Sequence, residues 1–90
     1  MEFVELLKNE YKIYVDVIVE HHSDGRIIPI SFTWEDGTTY KIKKILDKRP
    51  AASLKAGGTG MRYFIQVGNT QTYLWLEEDK DLFRWFMEKK

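Results

Sequence analysis

The sequence predicts an all-β fold, a small antiparallel barrel or rolled sheet of five to six strands built from two hairpins. Three stretches carry this reading. Residues 11–19 are rich in β-branched side chains and alternate with period two. Residues 28–46 alternate on both sides of Asp36-Gly37. Residues 62–77 alternate on both sides of Gly68-Asn69. Short strands separated by turn residues every 8–12 positions or so are the pattern of a small closed or rolled sheet. The one departure expected is a short helical turn between the hairpins.

At the start, Phe3, Leu6 and Leu7 fall at helical spacing. The stretch is too short to be a helix without tertiary support, so it reads as one helical turn or an added edge strand that caps an open end of the core. Next, Tyr11, Ile13, Val15, Val17 and Val19 alternate with Lys12, Tyr14, Asp16, Ile18 and Glu20, a strand with one buried face. It ends in the turn His21-His22-Ser23-Asp24-Gly25-Arg26.

The first hairpin reveals its register. A two-residue Asp36-Gly37 loop would set Trp34 opposite Thr39 and Phe32 opposite Lys41. A three-residue loop, Glu35-Asp36-Gly37, instead pairs Trp34 with Thr38, Phe32 with Tyr40 and Ile30 with Ile42. That register puts the aromatics on one face and Gly37 at the left-handed position of a G1 bulge. Phe32, Trp34, Tyr40 and Ile42 are therefore expected in the core. Pro29 cannot donate to a ladder, so it marks an edge or a bulge. Lys43-Lys44 breaks the alternation of the return strand, Thr38 to Lys48, and suggests a bulge or a bend between sheets.

Residues 49–60 read as one long loop. Pro50 to Ala56 followed by Gly57-Gly58 has the proline-first, glycine-last signature of a short helical turn. In the second hairpin, a two-residue Gly68-Asn69 turn groups Tyr63, Ile65 and Val67 with Leu74 and Leu76, leaving Phe64, Tyr73 and Trp75 on the other face. A three-residue loop would group them with Tyr73 and Trp75 instead. Glu77 to Asp81 reads as a hydrated acidic turn. Phe83, Trp85 and Met87 alternate with Arg84, Phe86 and Glu88 as a final strand. A short helix is the competitor, because Leu82 and Phe86 lie four apart.

Ninety residues make one domain, residues 1–90. With no cysteine, disulfides, thiolate metal sites and a cysteine nucleophile are excluded. The first ten residues lack the apolar centre of a secretory signal, and no apolar run is long enough for a membrane helix. The expectation is a cytoplasmic protein with no membrane partner. Net charge is zero, which argues against nucleic-acid binding through the whole surface. Residues 41–62 nevertheless hold Lys41, Lys43, Lys44, Lys48, Arg49, Lys55 and Arg62 against Asp47 alone.

Enzyme signatures are missing: there is no His-x-x-x-His, Gly-x-Ser-x-Gly or phosphate-binding P-loop. The two histidines, His21 and His22, are adjacent and would point to opposite faces of a strand. The chain is expected to be no enzyme and to carry no cofactor or metal. Lys55-Ala56-Gly57-Gly58-Thr59-Gly60 is the nearest approach to a ligand loop, since successive glycines let backbone N–H groups approach a phosphate. Five phenylalanines, five tyrosines and three tryptophans exceed what an ordinary chain of this length carries. Those not needed in the core could stack on bases or on a protein partner.

The segments Trp34 to Tyr40, Asp47 to Tyr63 and Arg84-Trp85-Phe86 together resemble a family of short single-domain proteins from clostridia and related Gram-positive bacteria, with no assigned function. The likeness runs from about Tyr14 to Glu88. It implies a bacterial cytoplasmic setting and a compact domain, and it carries over no catalytic residue.

The functional expectation is a non-enzymatic binding module for nucleic acid. Lys48, Arg49, Lys55 and Arg62 would meet phosphates, and Phe64, Tyr73 and Trp75 would stack on bases. The alternative is a protein-interaction module or homodimer, using a sheet edge or the aromatic face of the second hairpin.

Overall fold

A computed structural model describes residues 12–51, 59–79 and 81–88. The expectations for residues 3–8, for Lys55 and for most of the helical turn lie outside them. The described residues form seven strands: β1 (Lys12–His21), β2 (Ile27–Thr33), β3 (Thr39–Lys41), β4 (Lys44–Pro50), β5 (Thr59–Val67), β6 (Thr70–Asp79) and β7 (Leu82–Glu88). All neighbours are antiparallel, in the order β3-β2-β1-β7-β6-β5-β4. The fold is all-β, one sheet curled into a half-barrel. No helix among the described residues is long and apolar enough to cross a membrane.

The strand count exceeds five to six because the first hairpin's return strand is split. Its first part, β3, pairs with β2, and its second part, β4, pairs with β5 at the far end of the sheet. The switch takes two residues. The Ile42 N–H donates to the Ile30 carbonyl at 2.8 Å, and the Lys43 N–H donates to the Gln66 carbonyl at 2.8 Å. The break in alternation at Lys43-Lys44 is thus the corner at which the chain passes from one end of the sheet to the other.

Both hairpins adopt the registers read from their turns. Phe32 faces Tyr40, and the Trp34 N–H donates to the Thr38 carbonyl at 2.8 Å. Gly37 has φ 86°, the left-handed conformation that the bulged turn requires. In the second hairpin Val67 faces Thr70 and Tyr63 faces Leu74, so Gly68-Asn69 is a two-residue turn. The β1–β2 ladder shifts between Ile18 and Val19, whose partners are Ser31 and Pro29. Ile30 is therefore the extra residue of a bulge beside Pro29.

Strand wins over helix at Leu82–Glu88 because β7 lies between β1 and β6 and pairs with both. Its alternation sends Trp85 and Met87 into the core. The core joins Val15, Phe32, Ile42, Tyr63, Ile65, Leu74, Leu76 and Met87 on the concave face. Trp34 packs against this cluster. Tyr40 departs from expectation. It stacks on Phe32 at 5.5 Å but stays 38% exposed, because β3 is the end strand of the sheet, with no further strand beside it among the described residues.

Two further boundaries move. β4 and β5 extend into the expected 49–60 connection, where Pro50 faces Met61 and the Ala51 N–H donates to the Gly60 carbonyl at 2.9 Å. Pro50 thus ends a strand instead of opening a helical turn. At the other end, β6 continues through Glu77 to Asp79, so Glu77 lies in a strand and not in a hydrated turn.

Candidate functional site

The antiparallel registers align side chains in rows on the convex face. One row crosses five strands: Arg49 of β4, Arg62 of β5, Trp75 of β6, Phe86 of β7 and Tyr14 of β1. A second row places Asp47, Phe64 and Tyr73 side by side. These rows bring together five of the residues singled out from sequence, Arg49, Arg62, Phe64, Tyr73 and Trp75. The Phe64 and Tyr73 rings lie 4.8 Å apart, and Tyr73 and Trp75 lie 6.4 Å apart. The Arg62 guanidinium sits over both Tyr73, at 4.7 Å, and Trp75, at 5.7 Å. Tyr73 is 40% exposed, while Phe64 and Trp75 are half-buried. The Trp75 Nε1 is enclosed and has no hydrogen-bond partner among the described residues.

The cations expected beside these rings divide between the faces. Arg49 shares the convex face, where its Nε donates to Asp47 Oδ2 at 2.7 Å. Lys48 is one residue away and therefore on the concave side, its Nζ 5.5 Å from the Tyr63 ring centroid. A single β4 cannot present both. The bulge at Leu46 helps set this division, since it shifts the pairing between Ile45 and Asp47 by one residue.

Sequence reasoning passed over the rest of the row. Trp75 and Phe86 stack at 5.7 Å with rings 6° from parallel, and Phe86 meets Tyr14 edge-on at 5.9 Å. Lys12 lies 4.7 Å over Phe86 and Arg84 lies 4.6 Å over Tyr14. The signal was present. Phe86, like Phe64 and Trp75, sits opposite the inward set of a strand that is apolar on both faces.

Beneath these cations lies Glu77, only 5% exposed. Its Oε2 accepts from Lys12 Nζ at 2.9 Å, and its Oε1 accepts from the Tyr14 hydroxyl at 3.0 Å and from Arg84 Nη2 at 3.1 Å. Burial alone would raise the carboxyl's pKa. The hydrogen bonds from Lys12 and Tyr14, with the charges of Lys12 and Arg84, outweigh burial and hold it below its ordinary value. Burial raises the Tyr14 hydroxyl, and its hydrogen bond to Glu77 adds to the rise. Lys12 and Arg84 are thus neutralised within the fold. Arg62 forms no ion pair among the described residues, so its charge is presented outward over the rings.

No family model, curated protein or solved structure matches this chain.

Proposed function

We propose that the convex face binds single-stranded nucleic acid, with Tyr73 and Trp75 as the stacking surface and Arg62 and Arg49 meeting the backbone. The observation that carries the reading is Arg62, a guanidinium without an ion pair among the described residues, seated on two neighbouring rings at the sheet surface. Neighbouring aromatic rings along one strand accept successive bases because every base has a stacking face, and a nearby guanidinium supplies the phosphate contact. The same residue types populate protein interfaces. Strand addition, however, is opposed by what lies along β4, the end strand next to this face. It carries a bulge at Leu46, the charged run Asp47-Lys48-Arg49 and a terminal Pro50, features that discourage pairing with another chain.

Fluorescence anisotropy with a labelled single-stranded oligonucleotide tests the proposal. Two phosphates neutralised by Arg49 and Arg62 give a slope of log affinity against log salt of about −1.4. Trp75→Ala is expected to weaken binding by about 1–3 kcal/mol, the worth of one stacked base. Arg62→Gln is expected to flatten the salt slope by about half, leaving one phosphate contact. An absence of binding at low salt, or equal binding by Trp75→Ala, would overturn the reading.

A further inference from the structure

A second site lies on the opposite face of the sheet, at the mouth of the half-barrel, and does not depend on the nucleic-acid reading. Between the edge strand β3 and the tip of the β5–β6 hairpin the sheet does not close, and an open cavity of about 560 Å³ remains. Phe32, Trp34 and Tyr40 form one wall, and Val67 and Met87 contribute further apolar surface. Its neutral polar side chains come from Thr70 and Thr72, while Thr39 alternates with Tyr40 and turns its hydroxyl to Thr33 on the other face, 3.0 Å away. Among the described residues Lys41 is the one charged residue of the lining, and no carboxylate lines it.

Cavities of about 300–1,000 Å³ with apolar walls and a few polar groups at barrel mouths are the usual form of a small-molecule site. The chemistry of this one selects further. Aromatic faces at the wall favour a flat, apolar body. A lining with one cation and no anion favours a negative end group over a positive one. Lys41 alternates with Tyr40 and so leaves β3 on the outer side, without an ion pair among the described residues, but β3 is an edge strand, and a lysine stem there is long enough to bring its ammonium round to the rim. We infer that the mouth of the half-barrel binds a small aryl carboxylate, its ring against Phe32, Trp34 and Tyr40 and its carboxylate at the rim, toward Lys41 and the hydroxyls of Thr70 and Thr72.

Titration of the isotope-labelled protein with 2-naphthoate, followed through backbone amide shifts, tests this. Saturable shifts are expected at residues 39–41 and 68–72, with the amides of Arg62 and Trp75 unmoved. Uncharged 2-naphthalenemethanol and the cationic 2-naphthylmethylammonium should both bind more weakly. Lys41→Gln, at an exposed position, should weaken naphthoate about fivefold, the upper range for an exposed ion pair, and leave the uncharged probe unaffected. Thr72→Tyr, which fills the cavity, should remove the response to all three. Three results would each overturn the inference: no saturable shift, shifts centred on the convex face, or naphthoate affinity unchanged by Lys41→Gln. Because the readout maps to the concave mouth, failure here leaves the oligonucleotide experiment untouched, and the reverse also holds.

Discussion

Glu77 shows how one side chain can settle the chemistry of a surface. A carboxylate so enclosed would be costly alone, yet three donors surround it and its charge is matched by Lys12 and Arg84. The consequence for stability has a definite sign. The folded state holds the Glu77 pKa below that of the unfolded chain, so the contribution is complete above the ordinary carboxylate range, near 4.3 or so. It is lost as pH falls through the lower folded value. Glu77→Gln should therefore cost roughly 2 kcal/mol at pH 7, the scale of hydrogen bonds to a charged group. The gap to the unaltered protein should narrow steadily in acid, because a protonated Glu77 resembles the amide. Urea unfolding at neutral pH and again near pH 3 measures both numbers, and an unchanged gap at the two pH values would show that Glu77 is not the titrating group.

At the scale of the elements, two glycines limit the chain for different reasons. Gly37 occupies left-handed backbone with open space around it, so its constraint is conformational. Gly60 has ordinary backbone, but a Cβ there would run into the Leu76 carbonyl oxygen of β6, so its constraint is steric. Gly37→Ala should cost about 1–2 kcal/mol and leave the β5–β6 ladder intact. Gly60→Ala should instead force β5 and β6 apart at one end, seen as faster amide exchange in the Met61–Leu76 stretch with little change at the first hairpin. The contrast bears on what was legible in the sequence. Gly37 and Gly68 sit in turns whose type follows from neighbouring letters, and both hairpin registers could be read from them. Gly60 belonged to a glycine-rich run that resembled a ligand loop, and its real role depends on a carbonyl sixteen residues away in another strand. Likewise Arg62, Phe64, Tyr73 and Trp75 could be grouped because they share one hairpin. Phe86 and Tyr14 could not be added, because nothing local encodes that β7 lies between β6 and β1.

The whole molecule is defined by its incomplete closure. β3 and β4 are neighbours in the chain yet lie at opposite ends of the strand order, so the corner at Ile42-Lys43 ties the two ends of the sheet together. Alternation marked that corner without revealing its destination, which is why Tyr40 was expected in the core and the mouth cavity was not foreseen. Away from the corner, a second tie spans the interior: the Tyr63 hydroxyl donates to the Ile27 carbonyl at 3.1 Å, joining β5 to β2. Tyr63 is among the most buried side chains, and burial pushes its pKa up from the ordinary tyrosine value. A raised folded pKa means that the stabilisation is complete below the unfolded value, about 10, and is lost as pH rises through the folded one. Tyr63→Phe should cost about 1 kcal/mol at pH 7, the net worth of one hydrogen bond, with exchange accelerated near Ile27 on the far side of the barrel. Above pH 10 the unaltered protein should lose stability while the variant, lacking the buried phenol, loses less. Tyr14 titrates in both proteins and cancels from the comparison. The stability difference should then shrink and can reverse sign. Denaturant curves at pH 7 and pH 11 decide it: a gap that persisted unchanged in alkali would mean that Tyr63 does not remain buried as the tie across the half-barrel.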